Sequence, residues 1–337
     1  MTVLVAMIVF GVIILVHELG HFLAARRVGI DVEEFAIGFG PKLFGFKPGA
    51  TQYSVRLLPL GGYVRMLGEE EDLYTENPGS YQNKTPLQRM FVIAAGPVMN
   101  FVLALVLFMV IFGAFGIYVN EPLIGSVTPG LPAAESGLQP GDRILSMNGT
   151  EPETWTDLQQ YIHGSDGQPI NMTVQRDAQM VELTVVPRDA GEFYEIGIGM
   201  SSRRLPVLES IKRGFQETYY LTLAIFESIV MIFTRQIPAE DIAGPIGIVH
   251  FIGQAARAGI INVLSLAALI SVNLGIFNLL PIPALDGSKL VILGVELVRR
   301  KPLDPHKENL VHLVGFALLI SLMIFVMYQD ILRILNM

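Results

Sequence analysis

Four long apolar segments constrain the fold of this 337-residue chain more than any other feature of its sequence. Residues 1–16 carry no charged side chain and continue into HELGHFLAA, and residues 91–119, 263–285 and 310–328 are similarly apolar. As a helix, each segment is long enough to cross a hydrocarbon core about 30 Å thick. The alternative for the first segment is a cleaved signal peptide, but the basic start of such a peptide is missing. The sequence therefore predicts four transmembrane helices.

Lysine and arginine residues predict the orientation of these helices. Residues 24–90 contain eight of them and the short segment 286–309 contains five, whereas the longer stretch 120–206 contains only five. Because basic residues concentrate in cytoplasmic loops, the first two segments are predicted to be cytoplasmic. Residues 120–206 and both termini are then predicted to be extracytoplasmic.

Residues 215–233 leave an alternative open. Gln216, Glu217 and Glu227 interrupt the apolar run. We interpret the segment as an amphipathic helix lying in the membrane interface. If it spanned the membrane instead, the basic cluster at 299–301 would lie outside, against the positive-inside rule.

Composition excludes several functional classes. Hydrophobic residues make up 51% of the chain and charged residues only 16%, whereas soluble domains carry about 25% charged residues. The chain has no cysteine, which excludes disulfides and thiolate metal sites. A net charge of −8 argues against nucleic acid as a partner, because phosphate binding requires a basic face. The partner that this composition predicts is the lipid bilayer.

Residues 120–206 have the composition of a soluble domain. Short strands are predicted at LIGSV, RILSMNG, INMTVQR and MVELTVV, and a helix near residues 154–163. This order, together with the run GLQPGDRIL, resembles a PDZ domain of the kind associated with bacterial proteases. The resemblance implies that a groove beside an exposed strand captures a peptide or a C-terminus. A spacer or size filter without a ligand is the alternative.

An H-E-x-x-H motif, His17-Glu18-Leu19-Gly20-His21, lies at the end of the first apolar segment. The i, i+4 spacing places both imidazoles on one helix face, as two zinc ligands beside a glutamate that can act as general base. Ionisable residues inside a span are costly in lipid and are functional by default. The alternative is a polar cluster that reaches the interface at the helix end.

A hydrolytic zinc site usually has three protein ligands and one water, so a third ligand must lie elsewhere in the chain. Asp286, in NLLPIPALDG, follows the third apolar segment and is predicted at about the depth of His21. A carboxylate there is costly alone and is neutralised by zinc, which makes Asp286 the strongest candidate. Its alternative is a solvated aspartate at a helix end. The other candidates are His163, His250, His306 and His312.

Several separated motifs occur in order along nearly the whole chain. They are HExxH, GFGP at 38–41, LPLGGYVRM at 58–66, AAGPVMNF at 94–101 and NLLPIPALDG at 278–287. With the PDZ-like segment, they resemble the site-2 protease family of intramembrane metalloproteases, most closely its bacterial regulator-of-sigma-factor type with one PDZ domain. The resemblance implies a Zn²⁺ cofactor with His17, His21 and Asp286 as its ligands. It also implies that Glu18 is the catalytic base. The chain departs from the LDGG of many members at Ser288.

Residues 35–67 contain short β segments broken by Gly and Pro. The resemblance implies a membrane-dipping sheet whose edge pairs with an unwound substrate, and a plain cytoplasmic hairpin is the alternative. The substrate-binding residues implied in this sheet are Gly61, Gly62, Tyr63 and Val64.

The resemblance also implies that two asparagines of the third apolar segment, Asn273 and Asn278, hold the substrate backbone. Their alternative role is a hydrogen bond between helices. We interpret Gly96, Pro97 and Asn100 as packing and kink residues.

The predicted fold is a polytopic α-helical membrane protein with four transmembrane helices, a membrane-associated β-hairpin or sheet and one inserted extracytoplasmic PDZ-like α+β domain. The predicted divisions are transmembrane helix 1 at 1–25, a cytoplasmic-side segment with the β-sheet at 26–88, transmembrane helix 2 at 89–119, the PDZ-like domain at 120–204, an interfacial amphipathic region at 205–262, transmembrane helix 3 at 263–286, a cytoplasmic loop at 287–308 and transmembrane helix 4 at 309–329.

The function implied by these features is a zinc-dependent intramembrane endopeptidase of the bacterial cytoplasmic (inner) membrane. Its expected substrates are transmembrane segments of single-pass proteins, such as an anti-sigma factor already trimmed by another protease, or remnant signal peptides. The alternative is a catalytically silent membrane PDZ adaptor, which the intact set of ligands and base disfavours. A metal transporter is disfavoured because no polar span is repeated.

Overall fold

The computed structural model describes residues 1–69, 77–234, 236, 244–301 and 305–335. The chain divides into two compact units, one formed by Met1–Met109 with Ile211–Met337 and the other by Val110–Ser210. The α-helices of the described residues are α1 Thr2–Arg27, α2 Pro86–Val110, α3 Pro132–Glu135, α4 Trp155–His163, α5 Val207–Phe233, α6 Pro245–Ala258, α7 Ile260–Leu279, α8 Asp286–Arg299 and α9 Pro305–Leu335. A 3₁₀ turn forms at Tyr81–Asn83, and a π-helical turn at Ile111–Phe115 continues α2. The strands are β1 Val32–Phe46, β2 Gln52–Met66, β3 Ile117–Tyr118, β4 Ile124–Val127, β5 Arg143–Met147, β6 Ile170–Arg176, β7 Gln179–Val185, β8 Arg188–Asp189, β9 Tyr194–Glu195, β10 Ile198–Met200 and β11 Ser202–Arg203.

Four helical stretches are long and apolar enough to cross a membrane. They are Thr2–Arg27, Pro86–Phe115, Ile260–Leu279 and Leu313–Leu332. These stretches overlap the four predicted spans, so the prediction of a polytopic α-helical membrane protein is confirmed. The helix α5 is not among the stretches found in the described part of the chain, and its place in the interface stays a prediction.

The third span ends earlier than the sequence predicts. α7 ends at Leu279, and α8 begins only at Asp286. Pro281 and Pro283 explain the break, because proline lacks a backbone N–H and disfavours a helical conformation in the residue before it. The structure thus differs from the predicted span 263–286, because its helix stops at Leu279. It also differs from the predicted loop 287–308, because α8, Asp286–Arg299, occupies most of that segment.

The strands β1 and β2 form an antiparallel hairpin in which each long strand bends back. Residues 32–37 pair with 62–66 on one side and with 52–55 on the other, and residues 42–46 pair with 53–56. The hairpin is therefore a sheet of four short strand segments, and residues 62–66 form one of its edges. The predicted β-sheet in this part of the chain is confirmed.

A buried carboxylate holds these strand segments together. Glu34 on β1 accepts hydrogen bonds from the Ser54 hydroxyl (2.6 Å), the Arg56 guanidinium (2.8 Å) and the Tyr63 hydroxyl (2.7 Å). Burial favours the neutral carboxyl, but the three hydrogen bonds and the Arg56 charge outweigh it and lower the pKa of Glu34 to about 2. Because Ser54 and Tyr63 belong to different strand segments, the network fixes the position of the edge at 62–66.

Small residues bring the helices of the first unit close together. A Cβ at Gly20 on α1 would lie 2.3 Å from the carbonyl oxygen of Ala95 on α2. The Ser271 hydroxyl on α7 donates a hydrogen bond of 2.8 Å to the backbone carbonyl of Asn100 on α2. Small residues and hydroxyls at such crossings are typical of membrane helix packing. These contacts place α2 against both α1 and α7.

The second unit has the element order predicted for a PDZ-like α+β domain. β4 pairs with β10, and β5, β6 and β7 form a three-stranded sheet. The core contains Trp155 and Leu158 from α4 and Val174 from β6. The start of α4 is fixed by a capping box between Thr154 and Asp157. The strands and the helix predicted from the sequence are confirmed.

Candidate active site

Helix α1 places the two motif histidines side by side. His17 and His21 lie one turn apart, with their Nε2 atoms separated by 3.1 Å and their ring planes inclined by 80°. Both side chains are buried. The i, i+4 spacing thus produces the pair of converging imidazoles that the sequence predicts.

The start of α8 brings a carboxylate to this pair. Asp286 Oδ2 lies 3.2 Å from His17 Nε2 and 3.4 Å from His21 Nε2. One ligand atom from each of the three residues lies within 4.8 Å of the other two. The residue before α8, Leu285, follows Ala284, whose φ of 73° turns the chain into the helix. The departure at Ser288 is accommodated, since its hydroxyl donates to the Leu285 carbonyl at 2.7 Å.

The three residues fit a zinc ion. Asp286 Oδ2 is buried, and no donor of the described residues meets it in hydrogen-bonding geometry. Such an atom is costly unless a cation or donor satisfies it. Two imidazole nitrogens and one carboxylate oxygen form a ligand set that zinc prefers, and they leave a fourth position for water.

Helix α2 supplies the partners of the outward-facing imidazole nitrogens. His21 Nδ1 lies 2.9 Å from the Val92 carbonyl oxygen, and His17 Nδ1 lies 3.2 Å from the Asn100 amide Nδ2. Donation from His21 Nδ1 to Val92 leaves Nε2 free to bind a metal. Sequence reasoning did not predict either contact, although an asparagine within a charge-free span is a signal that could have found the second.

Gly96 on α2 leaves room for the imidazole of His21. A Cβ at this position would lie 2.2 Å from His21 Nε2. The close packing predicted for Gly96 is observed, and the neighbour that requires it is one of the cluster residues.

The edge of the hairpin lies beside Glu18. The Glu18 carboxylate lies close enough to His21 and Asp286 to interact with them electrostatically, and the backbone of Val64 is a further neighbour. A Cβ at Gly62 would lie 3.4 Å from Glu18 Cγ. The structure therefore brings two of the predicted substrate residues, Gly62 and Val64, next to the glutamate.

The other two predicted residues of this edge have different neighbours. Gly61 packs against Phe39, whose ring would lie 2.1 Å from a Cβ at position 61. The Tyr63 hydroxyl is bound to Glu34, and its ring stacks on Phe39 at 6.4 Å.

The two predicted asparagines are not joined to the cluster. Asn273 and Asn278 are partly buried on α7, and neither side chain forms a hydrogen bond with another described residue. Of the alternative ligands, His163 contacts Phe193 in the second unit, and His250 bonds to Gln254 within α6. The side chains of His306 and His312 lie outside the described residues.

Comparison with known proteins identifies the family. The sequence profile described as peptidase family M50 matches residues 5–322. A protein of Clostridium acetobutylicum is 38% identical over 337 residues, a match that covers 99% of this chain and 98% of that protein. The zinc metalloprotease RasP of Geobacillus kaustophilus is 36% identical, with 96% of each chain covered. The regulator of sigma-W protease RasP of Bacillus subtilis is 33% identical, with 99% of each chain covered.

Among solved structures, the PDZ domain of an SdrC-like protein from Listeria monocytogenes is 21% identical and covers 25% of this chain and 90% of that domain, with a TM-score of 0.22. The family match and the relatives extend over the spans, the HExxH motif and the PDZ-like unit together. The chain therefore belongs to peptidase family M50, the site-2 protease family, and is a zinc metalloprotease.

Proposed function

We propose that this membrane metalloprotease cleaves transmembrane segments of single-pass membrane proteins at a zinc site formed by His17, His21 and Asp286. The observation that carries the proposal is the convergence of two imidazole nitrogens and one donor-free carboxylate oxygen inside the helical unit. The cluster lies on helices that are apolar enough to span a membrane or directly follow such a helix. Hydrolysis would therefore take place at membrane depth.

Glu18 is proposed as the general base. When bound, zinc polarises the scissile carbonyl and lowers the pKa of its water to about 7. The Glu18 carboxylate, held beside His21 and Asp286, accepts a proton from the attacking water and later donates it to the leaving amine nitrogen.

The edge at residues 62–66 is proposed to hold the unwound substrate. A transmembrane helix has its carbonyls hydrogen-bonded internally, so the segment around the scissile bond must become extended before it is cleaved. Residues 62–66 pair with only one strand segment of the described sheet. A substrate strand added at their other edge would satisfy the backbone groups that unwinding frees in the substrate. The substrate would then be contacted by the backbone of four residues of this edge, Gly61, Gly62, Tyr63 and Val64. The asparagines of the third span, Asn273 and Asn278, would contact the substrate from α7.

The relatives and the predicted topology support one substrate class. The Bacillus subtilis relative is named for the regulation of sigma-W, which favours an anti-sigma factor already shortened by another protease, with remnant signal peptides as further substrates. We place the protein in the bacterial cytoplasmic membrane, with the PDZ-like domain and both termini outside and the zinc site near the cytoplasmic side.

The PDZ-like unit is proposed to select substrates through its groove. A cavity of about 480 Å³ is lined by Leu158 and Ile162 of α4 and by Ile198 and Met200 of β10. In the described chain β10 pairs only with β4, so its other edge is available to an extended peptide or C-terminus.

Metal content and cleavage of a model transmembrane substrate in detergent test the proposal. Wild type is expected to hold one zinc per chain and to cleave. Glu18→Gln should keep its zinc and lose cleavage by at least about 100-fold, because it removes the base. Asp286→Asn should lose both, because it removes a ligand.

Glu227→Gln is the matched control, because Glu227 is an exposed carboxylate on α5. It is expected to cleave like wild type. Cleavage by Glu18→Gln at the wild-type rate would refute the mechanism. A zinc-containing wild type without any cleavage would favour the adaptor.

A further inference from the structure

Asn100 is a buried amide with one unsatisfied atom beside the zinc cluster. Its side chain on α2 is fully buried, with the residue 0% exposed. The amide Nδ2 lies 3.2 Å from His17 Nδ1, while Oδ1 has no hydrogen-bond partner among the described residues. An unpaired polar atom is costly inside a span, so its presence there points to a function.

The chemistry of a histidine ligand determines which amide atom must face the ring. A neutral imidazole carries one proton, so a ring that binds metal through Nε2 carries its proton on Nδ1. That proton needs an acceptor, which fixes the orientation of the ring and raises its basicity. For His21 the acceptor is the Val92 carbonyl, at 2.9 Å.

His17 faces an amide, which offers either a donor or an acceptor. With Nδ2 towards the ring, His17 Nδ1 accepts and the ring carries its proton on Nε2, which lies 3.1 Å from His21 Nε2. A half-turn of the amide exchanges Nδ2 and Oδ1 without changing the space that the side chain fills. The half-turn lets Oδ1 accept the Nδ1 proton and leaves Nε2 free for the metal.

We propose that Asn100 is a positioning residue for zinc, whose amide oxygen accepts the Nδ1 proton of His17 and thereby sets the tautomer that binds the metal. The inference rests on the proposed function, since it requires that His17 binds zinc. The amide is well placed for this role, because Ser271 of α7 holds the Asn100 carbonyl at 2.8 Å and fixes the backbone from which the side chain projects.

The test compares two substitutions of opposite chemistry in the full-length protein in detergent. Asn100→Leu keeps the approximate volume and removes the acceptor, whereas Asn100→Asp keeps an acceptor. Zinc affinity is measured by competition with a chromophoric chelator, and ligand geometry by the visible absorption bands of the Co²⁺-substituted protein. The Leu variant is expected to bind zinc about 10- to 100-fold more weakly and to show altered Co²⁺ bands. The Asp variant should stay within a few-fold of wild type.

Asn262→Leu is the matched control, because it makes the same substitution at an exposed asparagine of α7, whose amide donates to the Ala258 carbonyl at 3.1 Å. It should keep wild-type affinity and Co²⁺ bands, while circular dichroism reports whether each variant is folded. Wild-type affinity and bands in the Leu variant, or equal weakening in the Leu and Asp variants, would overturn the role of Asn100. The proposed function fails separately, if wild type binds no zinc or if Asp286→Asn binds it as well as wild type.

Discussion

At the scale of single residues, the cluster depends as much on what surrounds the three proposed zinc ligands as on those side chains themselves. His17 and His21 come from a spacing that can be read directly from the sequence. Their orientation is set from α2, where Val92 and Asn100 face the two Nδ1 atoms. Gly96 completes this environment by having no side chain.

Replacing Gly96 with alanine should disturb the zinc site. The added Cβ would lie 2.2 Å from His21 Nε2, so the imidazole has to move. We expect zinc affinity to fall by at least about tenfold, with a loss of stability of about 1–3 kcal/mol from overpacking. Chelator competition and thermal unfolding measure the two effects.

Gly294→Ala is the control for this substitution. Gly294 lies within α8, and a Cβ there would meet nothing within 4 Å. This variant should bind zinc like wild type. Wild-type zinc affinity in Gly96→Ala would show that the His21 ring is not confined as the structure indicates.

At the scale of secondary-structure elements, the hairpin and the α7–α8 break shape the site. Glu34 ties two strand segments of β2 to β1, so the edge beside Glu18 has a fixed position. The proline-containing break ends α7 and lets α8 begin at the cluster with Asp286. The partly buried Arg89–Glu296 ion pair between α2 and α8 ties α8 to the helix that contacts both histidines.

The Glu34 network should make the stability of the hairpin depend on pH. The folded-state pKa is lowered from 4.5 to about 2, so the stabilisation is fully present above pH 4.5 and is lost as the pH falls towards 2. Its size is at most about 3 kcal/mol. We expect Glu34→Gln to lower the Tm at pH 7, and the Tm difference from wild type to shrink between pH 4.5 and 2.

Glu33→Gln is the matched comparison. Glu33 is the neighbouring carboxylate, is 43% exposed at its side chain and pairs with Arg65 at 3.0 Å. An exposed pair contributes about 0–1 kcal/mol, so this variant should melt close to wild type. A Tm difference for Glu34→Gln that does not change with pH would contradict the assigned role of the carboxylate.

At the scale of the whole molecule, the orientation in the membrane decides which compartment can reach the substrate and the groove. The positive-inside rule predicts that the PDZ-like unit lies outside and the end of α8 in the cytoplasm. That orientation requires α5 to lie in the interface, because a fifth span would reverse everything after it.

Single-cysteine labelling tests this topology, since the chain contains no cysteine of its own. Cysteine replaces Gln179 in the PDZ-like unit, Gln236 after α5, or Arg299 at the end of α8, all exposed positions. In intact cells, a membrane-impermeant maleimide should label positions 179 and 236 but not 299. Labelling of position 236 only after permeabilisation would show that α5 crosses the membrane.

By itself the sequence determined the four spans, the two motif histidines and the strands of the PDZ-like unit. These features depend on hydropathy and on spacings of a few residues, which are local properties of the chain. Only the tertiary structure decided that Asp286 meets His17 and His21 from a separate helix, that residues 62–66 lie beside Glu18, and that an amide faces His17. These are contacts between distant segments, which form because small residues allow α1, α2 and α7 to pack closely and because prolines end α7 where they do.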